Sequence, residues 1–231
     1  MRKREGVIRS GKSRKRLTIQ THTAPRRRGR PSQEETLELT RHIVAVAQSR
    51  FLEVGYDATA IDDVIELASI SNQTFYKRFD NKASLLEEVV RSFTEDFLNE
   101  RRRLDSDLLA MPLRDALIEC ACRFLKQTLR TDMLAFERLF LSVVKEFPNV
   151  SQILGAMIDA VYDSVADLLS AARERGDLPV EDVRRAARWF ADGAIAPRLR
   201  QASFGLAGLE LTDVDRKEIE AYVSFYLNSF R

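Results

Sequence analysis

Residues 59–82 read Thr59-Ala60-Ile61-Asp62-Asp63-Val64-Ile65-Glu66-Leu67-Ala68-Ser69-Ile70-Ser71-Asn72-Gln73-Thr74-Phe75-Tyr76-Lys77-Arg78-Phe79-Asp80-Asn81-Lys82. Ile61, Val64, Ile65 and Ala68 recur at helical spacing and form one apolar face. Ser69-Ile70-Ser71 breaks that short helix with a tight connection. Ser71 is a good N-cap, so a second short helix starts behind it. On the second helix Phe75 and Phe79 are four residues apart and point inward together. Asn72, Gln73, Thr74, Lys77 and Arg78 are left for solvent or a partner. Two short helices, a three-residue turn and an outward polar face describe a helix-turn-helix, whose second helix can enter a DNA major groove. The residue types suit base edges: Asn and Gln bond adenine at two points, Thr offers a hydroxyl and a methyl, and Lys and Arg reach guanine or phosphate.

The flanking residues extend the pattern. Ile43, Ala47, Phe51, Gly55 and Tyr56 precede it, and Thr59, Val64, Ala68, Ile70-Ser71, Thr74, Phe75-Tyr76, Phe79, Lys82 and Leu85 continue it. In order and spacing, the stretch from Thr36 to Leu86 resembles the TetR family of bacterial transcription regulators. The departures are specific. Ser69 stands where the family usually has Gly, so it must adopt a turn geometry that Gly takes more cheaply. Ile65 replaces a small residue, which implies a wider angle between the two short helices. Gln73 replaces Gly, Ala or Pro.

Charge is distributed unevenly. The 231 residues carry a net charge of only +2, yet residues 1–31 hold twelve Lys and Arg against Glu5. That segment is about +11 and the remainder about −9. Such asymmetry marks a basic arm suited to nucleic acid or another anionic surface. With no helical or strand periodicity, the arm is expected to be disordered when free. Gly6-Val7-Ile8-Arg9-Ser10-Gly11-Lys12-Ser13 matches the phosphate-loop pattern GxxxxGK[ST]. It lacks the preceding buried strand and the following helix that the chemistry of that loop needs, and a flexible basic tail explains it better. Arg28-Gly29-Arg30-Pro31 resembles the core of an AT-hook, in which Gly lets the backbone lie deep in a narrow minor groove flanked by Arg28 and Arg30. The alternative is non-specific attraction to phosphates.

Hydrophobic residues make up 45% of the chain, enough for a sizeable core, and Gly and Pro are few. The fold class is all-α, with about nine helices. No run of about 18 apolar residues is present, so no membrane span is expected. The basic N-terminus lacks an apolar core segment and is not a secretory signal. Cys120 and Cys122, two apart on a helix, point in different directions and read as free buried thiols in a reducing cytoplasm. Three segments are expected: a basic arm (1–31), a helix-turn-helix unit (32–81) and a larger helical region (82–231).

Helix 33–54 is capped by Ser32, carries Glu34 and Glu35 in its first turn, and ends at Gly55 in a left-handed turn. A long helix over 82–104 has an apolar stripe of Leu85, Leu86, Val89, Phe93, Phe97 and Leu98 and closes on Arg101-Arg102-Arg103. Beyond it, helices are expected over 113–130, 132–146, 150–176, 180–204 and 213–230. Phe136 to Arg185 resembles the AefR-like C-terminal domain found within the same family, on fewer matching positions than the front end.

No catalytic constellation is visible. His22 and His42 lie in the arm and on the first helix, so no histidine triad can form in the larger region. No Cys/His/Asp/Glu group has metal-ligand spacing; Asp159, Asp163 and Asp167 read as a solvated helix stripe. No cofactor, metal or enzymatic activity is expected. The resemblance implies a ligand pocket, which would be lined by Phe93, Phe97, Phe124, Phe136, Phe140, Val144 and Met157; the alternative is that these fill the core. With few charges nearby, the ligand should be apolar or weakly polar. It also implies a four-helix homodimer interface, here Trp189, Phe190, Ala194, Tyr222, Phe225 and Tyr226, with intrachain packing as the alternative. A two-fold dimer would bind a near-palindromic operator in double-stranded DNA. In that arrangement Asn72, Gln73, Thr74 and Lys77 face bases, Thr59, Tyr76, Arg78 and Lys82 face phosphates, and Arg28 and Arg30 enter the minor groove. The leading expectation is a cytoplasmic, ligand-releasable repressor. A DNA-binding architectural protein without an effector is the alternative.

Overall fold

The computed structural model describes residues 33–105 and 107–230. The basic arm, with Arg28, Arg30 and the Ser32 cap, lies outside them. Every regular element among the described residues is helical: α1 Gln33–Val54, α2 Ile61–Leu67, α3 Asn72–Tyr76, α4 Lys82–Leu104, a single 3-10 turn Leu108–Ala110, α5 Leu113–Thr128, α6 Thr131–Val143, α7 Pro148–Glu174, α8 Val183–Ala194, α9 Ala196–Ser203 and α10 Asp213–Asn228.

The first three helices fold around a compact aromatic and aliphatic centre. Ile43, Ala47 and Phe51 of α1 are buried with Val64 and Ile65 of α2, Phe75 of α3, Phe79 just beyond it, and Leu85 and Leu86 of α4. The Phe75 and Phe79 rings pack at 5.5 Å between centroids. Local signals set the helix ends. Gly55, at φ +89°, closes α1, its amide donating to the Phe51 carbonyl at 3.0 Å; only glycine takes that conformation without strain. Ser71 caps α3, its hydroxyl accepting from the Thr74 amide at 3.2 Å. Asn81 and Ser84 form a reciprocal capping box that starts α4. Ser69 sits at φ +53°, the sole non-glycine with positive φ among the described residues. The turn therefore does demand the left-handed geometry that its missing glycine would supply.

α4 runs out of this unit into the larger one, packing against α1 at one end and α7 at the other. Its far end is tied to α5 by a buried arginine. Arg101 Nε lies 2.7 Å from Asp105 Oδ2, its Nη2 3.0 Å from Cys120 Sγ, and its guanidinium carbon 5.2 Å from the Phe124 ring centroid. Cys120 and Cys122 are free and buried. Burial pushes the Cys120 thiol up to about 11, so it carries little thiolate at neutral pH.

One feature of the larger unit departs from the sequence reading. The helix expected over 180–204 is two helices. Pro197 has no amide to donate, and the chain breaks at Ile195 (φ −111°, ψ −53°) so that Pro197 falls in the first turn of a new helix. Residues 180–182 precede that pair, with Asp182 capping α8 through the Arg185 amide at 3.0 Å. The described residues thus hold ten α-helices rather than about nine. Asp159, Asp163 and Asp167 are exposed, as a solvated helix stripe should be, and the first two pair at the surface with Arg184 of α8, at 3.2 and 2.6 Å.

Candidate nucleic-acid interface and helical cavity

The outward face of α3 is presented by its neighbours. Phe75 faces the core, so Asn72, Gln73, Tyr76 and Lys77 emerge exposed and Thr74 half-buried. Arg78 braces this helix from behind. Its Nε donates to Thr40 Oγ1 of α1 at 3.2 Å and its Nη1 to the Thr74 carbonyl at 2.9 Å. The face carries donors and acceptors of the kind that read base edges.

Two residues expected to face phosphate are committed elsewhere. Thr59 is 2% exposed, and its hydroxyl donates to the Gly55 carbonyl at 2.8 Å. Lys82 Nζ donates to the carbonyls of Tyr56 (2.9 Å), Asp57 (3.3 Å) and Thr59 (3.0 Å), and lies 4.3 Å from the Tyr56 ring centroid. An ammonium has three protons to donate, and these three carbonyls use them. Lys82 therefore locks the α1–α2 corner onto the start of α4. Arg78, the third such residue, is likewise engaged within the chain. All three side chains are thus bonded within the chain, while Asn72, Gln73, Tyr76 and Lys77 stand exposed.

Tyr56 also reaches the larger unit. Its ring meets Phe147, between α6 and α7, edge-on at 5.2 Å. Burial raises its hydroxyl pKa, with the charges of Asp57 and Glu146 adding to the effect. Close by, Asn149 Nδ2 donates to Glu87 Oε1 of α4 at 3.0 Å. Sequence spacing alone could not show this seam, because the partners are some ninety residues apart.

The larger unit holds a cavity of about 410 Å³, open to solvent on one side, between α4, α5, α6, α7, α8 and α9. Phe97, Phe124, Phe136, Phe140 and Met157 line it together. Phe93 and Val144 do not. Phe93 stacks flat on Phe136 at 3.7 Å between centroids and supports the wall from behind. Val144 is the cap just beyond the end of α6. Leu141 and Ile158 stand exposed among the lining residues. The volume and apolar lining fall within the range of small-molecule sites. A second cleft of about 610 Å³, beside Met111, Pro112 and Arg175, lies away from these aromatics and near the distal ends of α7 and α10.

Few charges line the cavity, as the sequence reading expected: Glu137 and Asp192 are the two acids among the described lining residues, with Tyr162 beside them. Glu137 Oε2 accepts from the Ser203 hydroxyl at 2.7 Å. Burial raises the pKa of Tyr162, and the negative charge of Asp192 raises it further while Arg188 opposes both. Apolar periodicity cannot reveal such residues. They lie at the edge of the apolar stripe on their own helices and converge only in the fold.

The expected dimer residues divide. Phe190 (0% exposed), Ala194 and Tyr226 are buried within the chain, where Tyr226 Oη donates to the Ala186 carbonyl at 2.7 Å and its ring packs on Phe190 at 5.3 Å. These three hold α8 to α10. Tyr222 is half-buried and donates to the Trp189 carbonyl at 2.8 Å. Gly193 makes that approach possible, since a Cβ there would stand 2.0 Å from Tyr222 Oη. Trp189 (57% exposed) and Phe225 (72% exposed) form an uncovered apolar surface. Large exposed aromatics on adjacent helices mark an interaction face.

Among the described residues no group of His, Cys, Asp and Glu could hold a metal ion, and no helix is long and apolar enough to cross a membrane.

Comparison with known proteins places these two units. Residues 43–89 match the family described as bacterial regulatory proteins, tetR family, and residues 115–230 match the AefR-like transcriptional repressor C-terminal domain. Over 62 residues, 27% of this chain and 30% of the relative, the sequence is 31% identical to the HTH-type transcriptional repressor KstR2 of Rhodococcus jostii (strain RHA1). The aligned stretches span about a third of the length of the curated relatives they match. Among solved structures, a TetR-family transcriptional regulator from Mesorhizobium loti superposes with a TM-score of 0.75 at 21% identity, covering 86% of this chain and 98% of that one. The Flavonoid-responsive Regulator FrrA gives 0.68 at 23% identity, covering 83% and 96%. At these identities the structural likeness concerns the fold.

Proposed function

Since the chain belongs to the TetR family of bacterial regulators, we propose that it is a sequence-specific DNA-binding transcription regulator, a homodimeric repressor that releases its operator when a small ligand fills the cavity. The observation that carries this reading is the reach of α4. Its first residue, Lys82, grips the corner that sets α3, and Phe97, fifteen positions on, lines the cavity. At about 1.5 Å per residue the two points are about 22 Å apart on one rigid element. Ligand that prefers one position of the cavity walls shifts the population of α4 positions, and the spacing of the two recognition helices with it.

In this reading Asn72, Gln73, Thr74 and Lys77 read bases in the major groove, and Tyr76 contacts phosphate. Arg28 and Arg30 of the basic arm follow the adjacent minor groove. Trp189 and Phe225 sit across the two-fold axis from their counterparts, which suits a near-palindromic operator. A regulator of this kind works in the cytoplasm and needs no cofactor and no catalytic residue.

The test is fluorescence anisotropy on the DNA just upstream of the protein's own reading frame, with random DNA as competitor, at two salt concentrations. Tight binding that survives both competitor and higher salt is the expected result. Binding that falls equally on both DNAs and collapses with salt would show that phosphate attraction dominates. That outcome favours the architectural reading, in which the cavity has no effector to bind.

A further inference from the structure

Resting on the reading of the cavity as the effector site, we propose that its ligand has an apolar ring body bearing a hydrogen-bond donor, best a protonated amine, and that the site rejects carboxylates. The polar side chains in and around the lining are acceptors or already bonded. Glu137 and Asp192 offer acceptors. The hydroxyl of Thr128 is already donated to the Phe124 carbonyl at 2.9 Å. Ser203, behind the lining, donates its hydroxyl to Glu137. Tyr162 stands against the Asp192 carboxylate. Among the described residues no Lys, Arg or His lines the space. Arg188, the cation beside it, is exposed and lies on the Tyr162 ring, its guanidinium carbon 5.5 Å from the centroid.

Among the described residues, neither Glu137 nor Asp192 is ion-paired to a basic side chain. An anionic ligand here would lose part of its hydration, find no cation among the described wall residues and face two acids. A ligand ammonium would find two acceptors already in place beside apolar walls that strengthen the attraction. A neutral hydroxyl would gain a hydrogen bond without the charge. The order of affinity is therefore amine, then alcohol, then carboxylate, on a common ring.

Three probes isolate the head group: naphthylethylamine, naphthylethanol and naphthylacetate, titrated calorimetrically into the full-length protein. The amine should bind about tenfold or more tighter than the acetate, a ratio of the size that one partly desolvated charge contact supplies. Glu137→Gln should cut that ratio by about fivefold while the alcohol, which reports occupancy of the apolar walls, still binds. Asp192→Asn, at an exposed position, should cut it less and tests the idea even if the first variant folds poorly. Acetate binding as tightly as amine in the unmodified protein overturns the inference and leaves the effector site standing. So does an amine-to-acetate ratio unmoved in every variant that folds. Failure of all three probes to bind removes the cavity as an effector site, and this inference falls with it.

Discussion

The α3 face and the cavity are both built by helices, but in opposite ways. At α3 the interior is closed and the chemistry points outward. Phe75 and Phe79 fill the centre, Thr59, Arg78 and Lys82 brace the back, and Asn72, Gln73 and Lys77 are left free on a fixed platform. In the larger unit the chemistry points inward, toward a space that six helices leave unfilled. One site depends on rigidity and the other on incomplete packing. The difference predicts how each responds when side chains are removed.

The largest contrast is between two phenylalanines. Phe75→Ala should destabilise the protein by about 3–5 kcal/mol, since its site cannot collapse. Phe140→Ala, which borders existing empty space, should cost less than half of that and change ligand affinity instead. Chemical denaturation of both variants checks the pair; equal losses would mean that the cavity wall is as tightly packed as the helix-turn-helix centre.

Next comes Gly193→Ala. It forces Tyr222 off its hydrogen bond to Trp189 and should cost about 1–3 kcal/mol through overpacking. Sedimentation should show weakened self-association in the same variant, because Trp189 and Phe225 lie on the helices that Tyr222 aligns. A stable variant with unchanged association would separate the exposed aromatics from that alignment.

The outward face and its brace can be separated in the same manner. Lys77→Ala and Gln73→Ala should each lose about 1–3 kcal/mol of discrimination between operator and random DNA, with melting temperature unchanged. Lys82→Met should lower the melting temperature and weaken both DNAs together. A Lys82→Met protein that melts normally and loses only operator binding would return Lys82 to the phosphate-facing role its sequence position implied.

Ser69→Gly should stabilise by about 1 kcal/mol, by relieving a left-handed non-glycine residue; its melting curve decides. The smallest effect is a pH dependence. The Arg123 guanidinium holds the Glu119 carboxyl below its ordinary value of 4.5. The folded state thus binds that proton less readily than the unfolded chain, so this contribution is present at neutral pH and is lost as pH falls through the depressed value. Arg123→Gln should flatten that part of the stability-pH curve.

How much was legible in the sequence follows the same division. Around α3 the determinants are local. Ser71, Gly55, the Phe75–Phe79 pair and the departure at Ser69 each act within a few residues, so spacing and turn chemistry reveal them. The pocket itself is implied by the family resemblance, and the inward positions proposed for its wall hold for Phe97, Phe124, Phe136, Phe140 and Met157, which do converge. Phe93 and Val144 were placed beside them because inward direction alone does not distinguish a wall from the layer behind it. The acids escaped for the converse reason: Glu137 and Asp192 come from helices fifty-five residues apart, at the polar margin of each stripe. Lys82 is expected at phosphate and is found on backbone carbonyls, because a lysine beside a helix-turn-helix is equally suited to both. Only the positions of Tyr56, Asp57 and Thr59 decide between them. The break at Ile195 was signalled by Pro197, which a long apolar pattern masked.

The contact between Tyr56 and Phe147 bears on recombination of such proteins. A chimera cut at the start of α4, joining this helix-turn-helix unit to another regulator's sensor, would inherit Tyr56 without the ring that meets it. A functional graft has to move the residues around Phe147 as well. Lineages that exchange sensors by splicing at the helix boundary would then be expected to change both sides of that seam together.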